Sequence, residues 1–120
     1  MAPIAAFGFF SGWAQRRYAR RACNELLAIY HEERRSHPEL SGKSLYARIA
    51  ARWSGGSDEA GLRIVRQAEE SFADWRHDRE VTLRDVAAYL IIDAYLKARP
   101  GRHSTAHMRS MVARLIPAGL

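Results

Sequence analysis

"VTLRDVAAYLIIDAYLKA", Val81 to Ala98, combines a helix start with an apolar surface that runs almost all the way round. Thr82 stands where an N-cap belongs and Asp85 follows three residues later. Val81 can staple to Val86 across the cap. Beyond that start only Asp85, Tyr89, Asp93 and Lys97, each four residues apart, interrupt the apolar surface. A helix with so narrow a polar stripe has to be covered on most sides by other elements. The stretch therefore predicts the central helix of a bundle, with Lys97 one turn after Asp93 to answer its charge.

Working outward, the rest of the chain shows helical periodicity and no alternating, strand-like run. A first helix is expected from Trp13 to Ser36. Its core stripe is Ala19, Ala22, Cys23, Leu26, Ile29 and Tyr30, and His37-Pro38 ends it. Ser41 should cap a second helix that carries Leu45, Ile49 and Trp53 inward, with Leu40 as staple and Arg48 and Arg52 outside. "SGGSDEA" breaks the chain and restarts it at Ser57, with Asp58 and Glu59 complementing the dipole of a third helix. That helix should bury Leu62, Val65, Ala68, Phe72 and Trp75, and pair Glu59 with Arg63 and Arg66 with Glu70. After the linker "RPGRHS", a last helix from Thr105 to Ile116 presents Met108, Met111, Val112, Leu115 and Ile116 before Pro117 stops it. The expected fold is all-α: a compact bundle of about five helices in one domain, residues 13–120, preceded by an aromatic segment, residues 1–12. Leu26, Phe72, Trp75, Leu90, Ile91 and Leu115 are its expected core residues.

With 120 residues, 48% of them hydrophobic and 27% charged, the chain has enough apolar surface to fold without staples. The single cysteine, Cys23, falls on the core stripe and reads as a small buried hydrophobe in a reducing compartment. The net charge of +6 comes from 17 arginines and 2 lysines against 13 acids. Six basic side chains face four acidic ones in the first third, seven face seven in the middle, and six face two in the last. The excess thus sits at the two ends. The arginines near the start follow the aromatics, the reverse of a secretory signal, and no apolar stretch approaches the roughly 18–20 residues that span a bilayer. A cytoplasmic protein is expected, with the inner face of a membrane as a peripheral location.

Thr82-x-x-Asp85-Val86-Ala87 resembles the opening helix of LacI-type DNA-binding domains, over about six residues. A helix-turn-helix motif then needs a tight turn before its recognition helix. Here "IIDAYLKA" continues the helical pattern through that point, so the run reads as capping chemistry.

Catalytic and metal-binding patterns are lacking. His103 and His107 are four apart, but His103 lies in the linker, and His31, His37 and His77 are scattered. No nucleophile elbow or phosphate-binding glycine loop occurs, and Glu32–Glu33 and Glu69–Glu70 point about 100° apart on a helix. No enzymatic activity, cofactor or metal is expected.

One stretch is hard to explain as scaffold: "FGFFSGWAQRRYARR", Phe7 to Arg21. Phe9 and Trp13 lie on the arginine side of the first helix, out of phase with its core stripe. Arg16 with Arg20, and Arg17 with Arg21, are like-charge pairs at i, i+4, each costing roughly 0.2–0.5 kcal/mol. They also occupy the positive end of the helix dipole. An external anion would offset those costs. Phe9, Phe10, Trp13, Arg16, Arg17, Arg20 and Arg21 are therefore the candidate contact residues of a non-catalytic accessory or adaptor protein. Its partner would be an acidic protein or an anionic lipid surface. The alternative is a nucleic-acid-binding regulator that uses Arg99, Arg102, His103, His107 and Arg109 around the last linker and helix.

Overall fold

The computed structural model describes residues 12–73, 80–93, 105–117 and 120. Among them the chain forms five helices and no strand: α1 (Gly12–Ser36), α2 (Gly42–Ser54), α3 (Asp58–Ala68), α4 (Leu83–Ala88) and α5 (Thr105–Leu115). α3 and α4 each continue into a wider, π-helical turn, Glu69–Ala73 and Tyr89–Asp93. α4 and its continuation, Tyr89–Asp93, together touch every other helix, as their apolar surface requires. Its Leu83, Ala87, Ala88, Ile91 and Ile92 enter a core shared with α1 and α5. Val86, with Val81 beside it, enters a second cluster with Ala47 and Ala50 of α2 and Val65 and Ala68 of α3. Fully buried side chains such as Leu26, Ile49 and Ile91 each contribute about 1.5–3 kcal/mol of transfer free energy.

The cap at Thr82 is reciprocal. Its Oγ1 accepts from the Asp85 N–H at 3.3 Å, and the Asp85 carboxylate accepts from the Thr82 N–H at 2.9 Å. The helical path runs on through Asp93 without the turn that a helix-turn-helix motif would need. Ser57 caps α3 through its side chain, accepting from the Ala60 N–H. Ser41 occupies the N-cap position of α2 with extended backbone, but its hydroxyl makes no capping bond. The turn into α2 is instead set by Gly42 at φ 57°, a conformation that glycine adopts without steric cost.

Several expectations are corrected. Leu62 is 46% exposed, because α3 turns Gly61, Val65, Ala68 and Phe72 inward and Leu62 lies about 100° from that face. Gly61 fixes this rotation. A Cβ there would collide with the backbone carbonyl of Ala47, so the closest approach of α2 and α3 depends on its having none. Leu90, like Ile29, Tyr30 and Met108, is half-buried and packs on the core from its edge, while Ile91 and Ile92 occupy the centre. Neither Glu59–Arg63 nor Arg66–Glu70 is among the ion pairs of the described residues. Glu69 instead meets Lys43 of α2 at 2.7 Å. Trp75, Asp93's side chain, Lys97 and the 99–104 linker lie outside what is described.

Candidate functional site: the basic face of α1

The core stripe of α1 points its opposite side outward, and that side carries the candidate residues. Trp13, Arg16, Arg17, Arg20 and Arg21 are all exposed, Trp13 by 64%. Phe9 and Phe10 lie outside the described residues. The four arginines divide into two rows. In the outer row the Arg17 guanidinium sits 5.3 Å from the centroid of the Trp13 ring, a contact that spreads cationic charge over an aromatic face. Arg21 approaches Glu25 at 3.6 Å, and Glu25 also accepts from the Trp53 indole N–H at 3.0 Å. Both partners of the Arg21–Glu25 pair are well solvated, so it contributes little.

The inner row, Arg16 and Arg20, has no carboxylate partner among the described residues. It faces the C-terminal end of α5 across a groove of about 350 Å³, whose walls include Arg114, Leu115, Ile116 and Pro117. Arg114 is exposed and likewise without a carboxylate among the described residues. From the other side, Arg84 of α4 donates to the carbonyls of Ile116 at 3.0 Å and Pro117 at 3.4 Å. These two carbonyls lie just past the last residue of α5, Leu115, and Arg84 ties that exit segment to the bundle. Arg114 was not among the sequence candidates. It is 94 residues from Arg20 in the chain, and only the docking of α5 on α1 brings the two together.

A second cluster, at the far end of α1, has the opposite character. Glu33 is only 3% exposed. Its carboxylate accepts from Arg48 Nε and from Arg52 Nη1, each at 3.0 Å. Arg52 also reaches Glu32 at 3.1 Å, and His37 Nε2 stands 3.8 Å from Glu33. Burial works to raise the Glu33 pKa, but the two guanidinium hydrogen bonds outweigh it and hold the carboxyl below its ordinary value. Arg48 and Arg52 lie outside the core stripe, as expected, and from there clip α2 onto α1. Glu33 lies seven residues after Leu26, in the register of the core stripe, and that register was the available signal.

Cys23 is buried, and desolvation pushes its thiol up to about 11 despite the opposing field of Arg84, so it is held as a neutral thiol. On α5, His107 and Arg109 are exposed, whereas Arg99, Arg102 and His103 lie outside the described residues. Among the described residues no three His, Cys, Asp or Glu side chains are placed to hold a metal ion. No helix there is long and apolar enough to cross a membrane. Compared with models of protein families, with curated proteins and with solved structures, the chain finds no match.

Proposed function

We propose that the protein is a non-catalytic accessory or adaptor that binds an acidic partner or an anionic membrane surface through the basic face of α1. In the membrane case it would act as a cytoplasmic protein at the inner face. The observation that supports this most is the state of Arg16 and Arg20. They are exposed, one turn apart and without a carboxylate among the described residues, although their like-charge spacing costs stability. Trp13 beside them supplies an aromatic ring of the kind that settles at headgroup depth.

Co-sedimentation with vesicles tests the reading, with poly-glutamate and duplex DNA as parallel ligands. Binding to anionic but not to neutral vesicles, or to poly-glutamate, is expected, and it should weaken as salt is added. Tighter, salt-dependent retention on DNA than on either acidic ligand would replace this reading with the nucleic-acid one.

A further inference from the structure

We infer that Arg16, Arg20 and Arg114 form one cradle, between α1 and the end of α5, for the phosphate monoester of an anionic lipid headgroup. The inference rests on the membrane-surface reading above and assigns it a particular ligand and a third residue. Three exposed arginines from two helices line a single groove, and none has a carboxylate partner among the described residues. Such a grouping is self-repelling until an anion enters it. The carbonyls that follow α5, those of Ile116 and Pro117, are engaged by Arg84 and do not draw on these three cations.

The chemistry of the donors selects the anion. Guanidinium is a planar fork suited to paired oxygens. A phosphate monoester brings three terminal oxygens and a charge of about −1.5 to −2 near neutral pH, enough to engage three forks. A diester or a carboxylate presents only two free oxygens. A lipid is favoured as the source because Trp13, one turn before Arg16 on α1, is 64% exposed, and because Ala113 and Pro117, which line the groove, are exposed and apolar. A bilayer accepts such an aromatic and apolar rim around a charged centre.

The test compares phosphatidylcholine vesicles doped with phosphatidic acid and, at matched surface charge, with phosphatidylserine. The wild-type chain should bind phosphatidic acid more tightly. Arg114→Gln should weaken that binding about tenfold, the loss of roughly one charge-assisted pair, and change binding to phosphatidylserine less than about twofold. Arg114→Lys keeps the charge without the fork, so it should keep phosphatidylserine binding and lose the preference. Equal losses on the two lipids, or no preference in the wild type, would overturn the cradle while leaving the membrane reading standing. Absence of binding to either anionic vesicle would overturn both. Release by glycerol 3-phosphate at a concentration equal to the lipid phosphate would overturn the lipid assignment in favour of a soluble ester.

Discussion

Arg48 and Arg52 on α2 and Arg16 and Arg20 on α1 are the same residue pair at the same i, i+4 spacing, yet their surroundings are opposite. The α2 pair closes on Glu33, a carboxylate almost wholly withdrawn from water, and joins two helices. The α1 pair faces a groove whose other charged wall, among the described residues, is a third arginine, Arg114. Repulsion between paired arginines is offset in the first case by an anion that the chain itself supplies. In the second case none is supplied among the described residues. An arginine pair on a helix is therefore structural or available according to whether a neighbouring helix buries an acid against it, and local sequence around the pair does not say which.

The comparison can be broken most severely where α2 meets α3. Gly61→Ala should cost about 1–3 kcal/mol or more, since the added Cβ meets a backbone carbonyl that cannot swing aside. Chemical denaturation would measure it, and the loss should appear although Gly61 touches neither arginine pair. Next comes Glu33→Gln, which leaves the two clipping guanidiniums without their anion. A melting temperature lowered by several degrees is expected. Because the folded-state pKa of Glu33 is depressed, its stabilisation is present above the unfolded carboxyl value of about 4.3 and is lost as pH falls through the lower folded value. Wild-type stability should accordingly fall in that acid window, and the Glu33→Gln variant should show a shallower fall. Thr82→Ala alters neither pair and provides a scale between them, at about 1 kcal/mol for a lost cap.

Much of the fold was legible because its signals are local. The Thr82 box, the Ser57 cap, the proline after His37 and the glycines after Ser54 each act within one turn, and each marks a real boundary. The nearly all-round apolar surface of the Val86–Ile92 run likewise marks a central helix, since it leaves only a narrow face for water. What escaped depends on how helices are rotated and docked against one another. Leu62 was assigned inward because it is apolar, but the close approach at Gly61 decides the face. The pairing of Arg48 and Arg52 with Glu33 was not legible because that acid lies on another helix, 15 and 19 residues away. Arg114 joined no motif at all. The aromatic half of the candidate segment, Phe9 and Phe10, lies outside the described residues, so the site rests on Trp13 and the arginines.

The most direct measurement replaces Arg16, Arg17, Arg20 and Arg21 together by Gln and records thermal unfolding and binding to anionic vesicles on the same preparation. Available cations predict a melting temperature that stays level or rises, because two like-charge pairs are removed, while only the exposed contacts to Trp13 and Glu25 are lost. Binding should vanish in the same variant. A variant that melts several degrees lower and still binds whatever remains folded would make these arginines scaffold, and would contradict the account.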